Sequence, residues 1–347
     1  MGKSRNSKLF KKRKKICRKR KPDIFVLIMA VTFIFLYIFA FIKATDIRVP
    51  KFPYRNLERK VEKVETVSAH IFESEKKRES CIICCKTAAG VQEIPLEEFL
   101  VLALGANIDM EYELETLKAQ VVLLRGNCVR GMENRNSNTI SANGFMEAKN
   151  KRMIDADQLD FDYYSLEELK IVWGNKYEVY YKKAKEAVKQ TKGIYAKSGD
   201  MILNGNFHAM SGGKTRNGEE ILGEEYAYLK SVSCEKNLEA HNFAQTKTFE
   251  TTETSKLEIL ERDSSGYVTK VSWNGKNYSG EQIRQALGLA SANFEVEKGE
   301  HYCITTKGIG HGFGFDQYYA NYMAKETELD YMELIAYFYK DIIFSVI

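Results

Sequence analysis

The stretch that most constrains this chain is "IFVLIMAVTFIFLYIFAFI", Ile24 to Ile42. About 19 residues pass without a charge, enough to cross a hydrocarbon layer as a helix. The run exceeds the apolar region of a signal peptide, and the exit "FIKATDIRVP" offers no small-x-small cleavage site, so the reading is an uncleaved anchor. Ahead of it, "KSRNSKLFKKRKKICRKRK" (3–21) holds about a dozen lysines and arginines and no acid. The positive-inside rule then gives a basic cytoplasmic tail (1–23), a transmembrane helix (24–43) and an extracytoplasmic remainder in a single-pass cell-membrane protein. The formal charge of +5 belongs to that tail. Without it the chain is acidic, which argues against nucleic acid as a partner.

Residues 44–78 carry half of the four prolines, many charges and no sustained apolar face. They read as a stalk. From 79 to 347 the patterning is that of one mixed α+β domain. "SCIICCKT" reads as a strand in which Cys81, Cys84 and Cys85 act as small apolar groups; CxxCC lacks a second Cys or His pair nearby to complete a metal site. Disulfides among Cys128, Cys234 and Cys303 stay open, since spacing alone cannot pair them. Pro95 opens a short buried helix, "LEEFLVLALGA". A second helix carries Leu114, Leu117, Val121, Leu124 and Cys128 at spacings of three and four, with Lys118, Gln120 and Arg125 off that stripe. The turn "NIDMEYE" (107–113) joins the two.

A polar loop is expected at 132–150. "SLEELKIVWGNKYEVYYKKAKEAVKQTKG" reads as helical with Gly193 as its stop. Later segments alternate like strands, "NG" at 274–275 signals a hairpin, and Ser279 with Gln282 forms a capping box. "LDYMELIAYFYKDIIFSVI" reads as an aromatic amphipathic helix. There is no Walker loop or HExxH, and the glycines of "GIGHGFG" lack the setting of a dinucleotide fingerprint, so no cofactor is implied.

Three segments, "EEFLVLALGANIDMEYELETLKAQVVLLRGN" (97–127), "FHAMSGGKTRNGEE" with "YAYLKSV" (207–232), and "SGEQIRQALGLASANFEVE" with "GIGHGFGFDQYYANYMA" (279–324), together resemble the SpoIID/LytB family. Its members typically read EALKAQAVAART, SGGRT before PYLKSV, GEELRRALGLRS and GHGVGMSQYGA, in that order. The resemblance implies an anchored α+β domain that faces peptidoglycan during sporulation, at the engulfing septum. It further implies lytic transglycosylase chemistry on denuded glycan strands. In that reaction one Glu first protonates the glycosidic oxygen. As carboxylate it then takes a proton from the muramic 6-hydroxyl.

The family's Glu stands eight residues before the Glu of EALKAQ, which here is Asn107. An amide has neither a useful proton nor a basic form, so cleavage is expected to be lost or weakened unless Asp109 or Glu111 substitutes. The stretch where some relatives hold zinc has no His or Cys here, so no metal is expected. By resemblance the substrate-binding candidates are Lys118, Arg125, His208, Ser211, Gly212, Gly213, Lys214, Thr215, Gly310, His311, Gly312 and Gln317. For the alternating glycines two readings stand: close backbone approach to a polymer, or tight internal packing with His311 a structural histidine. Phe315 and Asp316 replace the family's Met-Ser, an expected shift in substrate preference. Three functions follow: a glycan binder, an active transglycosylase using Asp109 or Glu111, and a scaffold for wall hydrolases or other membrane proteins that binds no sugar.

Overall fold

The computed structural model describes residues 80–87, 90–138, 151–250, 256–299 and 301–347. The tail, the anchor run and the stalk lie outside the described residues. The chain from Glu73 to Ile347 is one compact unit.

A central helix organises the fold. Strands β1 (Ser80–Thr87) and β2 (Gly90–Pro95) form an antiparallel hairpin, and helix α1 (Leu96–Asn107) leaves directly from Pro95. Helix α2 (Leu114–Asn138) follows the turn. Every position from Thr116 to Gly126 is buried, so α2 is covered all round and not on one stripe. Leu117, Val121, Leu124 and Cys128 enter a first core with Phe99, Leu100 and Leu104 of α1. Ala119, Val122 and Leu123, on the other side, enter a second core with Phe313, Phe315, Leu334 and Phe338. The expected stripe is present; its flanks are buried because segments some 200 residues later in the chain cover them. α2 also runs through Asn138, into the stretch expected to be a loop.

Strand β3 (Lys151–Asp155) pairs in parallel with β1. The helical stretch 165–193 is two helices, α3 (Leu166–Trp173) and α4 (Tyr177–Gln190). A Ser165/Glu168 capping box starts α3, and Gly174 at φ +50° breaks the pair. Strands β4 (Ile194–Ser198) and β5 (Met201–Ile202) follow, then β6 (Phe207–His208) and the short helix α5 (Gly218–Leu222).

A β-rich region comes next: β7 (Ala244–Glu250), β8 (Leu257–Arg262), β9 (Val268–Trp273), β10 (Lys276–Tyr278), helix α6 (Gly280–Leu287), β11 (Phe294–Lys298) and β12 (His301–Lys307). Its sheets run β10-β9-β8 and β11-β12-β7 around a third core of Val268, Val271, Ile283, Phe294 and Ile304. Asn274 (φ +51°) and Gly275 (φ +77°) make the β9–β10 hairpin turn, and Ser279 with Gln282 caps α6, both as the sequence indicates.

The chain returns through β13 (Phe315–Asp316), α7 (Gln317–Glu326) and α8 (Tyr331–Phe338), and ends in β14 (Ile342–Val346). The expected C-terminal helix is therefore half strand. Asp341 at φ +50° turns the chain, and Ile342, Ile343 and Val346 suit pairing with β4. The result is a mixed α+β architecture. CxxCC lies on β1 as expected, and the described cysteines form no disulfide; Cys128 and Cys234 are buried thiols.

Candidate functional site

Three distant segments converge at the start of α7. β6 and β13 pair in parallel, Phe207 with Phe315 and His208 with Asp316. Met210 bridges Ile309, and Tyr318 N–H donates to the Ala209 carbonyl. The α1–α2 turn is tied to the same helix. Gln317 Nε2 donates to the Asn107 carbonyl at 2.7 Å and to Gln120 Oε1 at 3.0 Å, and Glu113 N–H donates to Asn321 Oδ1 at 2.7 Å.

The middle of this junction is sealed from water. Asp316 has no exposed side-chain surface and accepts from Ser211 N–H at 2.8 Å, Tyr319 N–H at 3.0 Å and the Asn237 amide. His208 Nδ1 lies 3.0 Å from the Phe313 carbonyl, which can only accept, so Nδ1 carries a proton. Its Nε2 faces Asp316 Oδ2 at 3.7 Å, an ion-pair distance too long for a hydrogen bond. Burial pushes the Asp316 carboxyl up, but His208 and the Tyr319 and Ser211 amides outweigh it and hold the group below its ordinary value.

Arg216 completes this knot. Its guanidinium donates to Asp263 at 2.6 Å and lies over Phe313 and Tyr267, 4.5 and 5.0 Å from the ring centroids. Tyr267 Oη in turn accepts from Gly212 N–H at 3.0 Å. The sequence reading missed Arg216, Asn237, Asp263 and Tyr267. Arg216 stands beside Lys214 and Thr215 in the quoted segment, while the others come from regions that carry no local signal.

The glycine alternation serves packing. Gly310 sits at φ +107°, and a Cβ there would meet His208 Cβ at 2.7 Å; Gly312 sits at φ +83°, and a Cβ there would meet Tyr267 Oη at 2.5 Å. The space left by the missing side chains is filled by protein. His311, half-buried between His208 and Phe313, accepts from Phe313 N–H through Nδ1 at 3.0 Å. Burial, then the neighbouring His208 and Arg284, push its imidazole down to about 3 against an opposing bond with the Phe207 backbone. It is a neutral ring at physiological pH, committed to its surroundings.

Other expected binding residues are also occupied. Arg125 is fully buried, with its fork on Glu97 at 2.9 and 2.7 Å and a further bond to the Ile194 carbonyl. Lys118 is buried, paired with Glu115 at 2.7 Å and set over the Tyr331 ring at 4.8 Å. Thr215 is buried and donates to the Lys230 carbonyl, and Ser211 receives the Asn237 amide. Of "SGGKT" only Lys214 is exposed, with Gly212 and Gly213 half-exposed beside it.

The turn beside the junction is open. Asn107 is half-buried at the end of α1, where Nδ2 donates to the Ala103 carbonyl at 2.7 Å and the Asp162 carbonyl at 2.6 Å. Both amide protons are thus used on backbone. Asp109 is exposed and accepts from Glu111 N–H at 2.9 Å, an Asx turn. Glu111 is exposed but gripped by Lys176 and Tyr180, and first Lys176, then Tyr180, hold its carboxyl below its ordinary value. Tyr112 is half-buried; burial raises its phenol, and the nearby charges of Asp109 and Asp316 raise it further. Among the described residues no group of three or more His, Cys, Asp or Glu side chains could hold a metal ion.

Comparison with known proteins bears on this arrangement. The chain is 33% identical over 265 residues to stage II sporulation protein D of Bacillus subtilis, an alignment spanning 72% of this chain and 74% of that protein. It belongs to the SpoIID family. The family model described as "Stage II sporulation protein" matches residues 86–197, from β1 through the α3–α4 hairpin to β4. Stage II sporulation protein D of Bacillus amyloliquefaciens is 31% identical over 266 residues, covering 73% of this chain and 75% of that one. An uncharacterized protein of Brachyspira hyodysenteriae is 25% identical over 279 residues, 74% and 68% of the two chains. The matched segment contains α1, the 107–113 turn and α2.

Proposed function

We propose that this SpoIID-family protein grips peptidoglycan glycan strands at the sporulation septum without cutting them, held in the cell membrane by Ile24–Ile42 with its domain outside. The observation that carries this reading is the state of Asn107. Its amide is spent on the Ala103 and Asp162 carbonyls, and it has no proton to give a leaving oxygen. The neighbouring carboxyls do not make up the loss. A general acid must hold its proton near neutral pH, yet Lys176 and Tyr180 keep Glu111 ionised. Asp109 is exposed and engaged in an Asx turn with the Glu111 N–H. Beside the turn the half-exposed Tyr112 and Tyr318 offer hydroxyls and aromatic faces suited to hydroxyl and acetamido groups.

The test is incubation of the Glu73–Ile347 unit, whose three cores draw only on its own residues, with amidase-stripped glycan strands. Released saccharides are read by mass spectrometry beside the Asn107→Glu variant, and retention on the strands is measured for both. The expected result is binding by both proteins and anhydro-muramic products from the variant alone. Such products from the native domain would overturn the reading. Their disappearance in Asp109→Ala would then assign the chemistry to Asp109.

A further inference from the structure

The hydrogen bonds that hold Asn107 leave one of its atoms unused. Its Nδ2 meets two backbone oxygens, that of Ala103 at 2.7 Å and that of Asp162 at 2.6 Å, which can only accept, so the NH2 end of the amide is the end turned inward. Both amide protons are spent there. Oδ1 is the free end: it takes no donor among the described residues and, on a half-buried side chain, it is not sealed from water. The backbone of the same residue is held as well, since Gln317, itself buried, donates to the Asn107 carbonyl at 2.7 Å. Farther along the turn, Lys183 of α4 donates to the Met110 carbonyl at 3.0 Å and to the Tyr112 carbonyl. Oδ1 is therefore an acceptor whose place is fixed by bonds to α1, to the β3–α3 connection and to α7.

We infer that Asn107 is a specificity-determining residue of the proposed glycan site, its Oδ1 accepting a hydrogen bond from a sugar hydroxyl or acetamido N–H; the identity of the ligand rests on the glycan reading above. The polarity around this atom has one sign. Asn107 closes α1, where the helix dipole is negative and the last turn has no basic residue to meet it. Asp109 and Glu111 add exposed carboxyl groups. The cations at the turn are already engaged, Lys176 with Glu111 and Lys183 with the two carbonyls. What the turn leaves free is acceptors, so a ligand that settles there must bring donors. A neutral polymer rich in O–H and N–H groups does so, with Tyr112 and Tyr318 half-exposed beside it. A ligand group that only accepts, such as a carboxylate, sets acceptor against acceptor and is turned away at this position. Because Oδ1 is held before the ligand arrives, little ordering is left to oppose binding.

The test uses the Glu73–Ile347 unit and amidase-stripped glycan strands. Asn107→Ala should lose about fivefold in retention, the worth of one neutral hydrogen bond, with the thermal midpoint as the folding control. The native domain, labelled with 13C-asparagine, supplies a direct readout. The Asn107 side-chain carbonyl signal, assigned by its absence from Asn107→Ala, should move downfield as strands are added, while the Nδ2 protons stay protected from exchange in the free and the bound protein. A residue that merely braced the turn would alter retention without moving that signal. Equal retention of the native and Asn107→Ala proteins, or a native domain that binds strands with its Asn107 carbonyl signal unmoved, would overturn the inference. So would loss of protection at Nδ2 on binding, because the amide would then have turned to donate. Those three results leave the glycan binder standing, whereas a native domain not retained on the strands at all overturns both readings.

Discussion

The 107–113 turn and the His208–Asp316 knot touch the same helix start, yet they use charge in opposite ways. In the knot, carboxylate, imidazole and guanidinium are withdrawn from water and pay their desolvation with close partners on β6, β13 and the β8–β9 connection. In the turn, Asp109 and Glu111 stay in water, Asp109 bound to the Glu111 N–H and Glu111 held below its ordinary value by Lys176 and Tyr180. The buried polar groups therefore hold the frame, and the exposed segment is where chemistry can change without unfolding the protein. That is why an amide at position 107 is compatible with an intact fold: it costs no buried charge and adds two bonds to the backbone.

The largest effect is expected at Asp316. Asp316→Ala strips Ser211, Tyr319 and Asn237 of their shared acceptor and His208 of its ion-pair neighbour, and loss of about 3–5 kcal/mol is expected from orphaned buried groups. Urea unfolding measures it, and a loss below about 1 kcal/mol would break the contrast between knot and turn.

A smaller, pH-dependent effect belongs to His311. Its folded-state value, about 3, lies below the unfolded value of about 6.5, so the unfolded chain binds the proton first. Its contribution is fully present above pH ~6.5 and is lost as pH falls toward the folded value. Asp316, also lowered, adds a further loss at pH below its unfolded value of about 3.9. Midpoints of thermal unfolding should therefore fall between pH 7 and pH 5 in the native domain and fall less in His311→Gln. Parallel slopes would mean the ring is not held neutral.

The smallest effect is expected at the turn. Lys176→Ala removes the first cause of the Glu111 shift, so the Glu111 carboxyl carbon should titrate at a higher pH in NMR while the melting temperature stays unchanged. A lowered melting temperature would show that the turn, like the knot, is structural.

Much of this was legible in the residues. Pro95, the stripe on α2, the "NG" hairpin and the Ser279/Gln282 box act over a few residues, so local stereochemistry suffices to read them. The motif segments were legible too, including the amide at Asn107. Whether their polar members face ligand or core was not. Arg125 and Lys118 lie off an apolar stripe and read as solvent-facing, until Glu97, Thr191 and Ile194 enclose Arg125 and Tyr331 covers Lys118. The Gly310 and Gly312 pattern reads equally as room for a ligand or for a side chain, and only the presence of His208 and Tyr267 decides for packing.

By itself the sequence determined the family, the apolar run at Ile24–Ile42, the hairpin and capping signals and the amide at position 107, because each is written in residue types at fixed local spacing. Tertiary structure alone decided which polar groups are buried, that Glu111 is held ionised, and that the β8–β9 connection supplies Asp263 and Tyr267 to the knot. Those outcomes depend on contacts between residues 47 to 210 apart, where burial and electrostatics are properties of the assembled surfaces and not of any one segment.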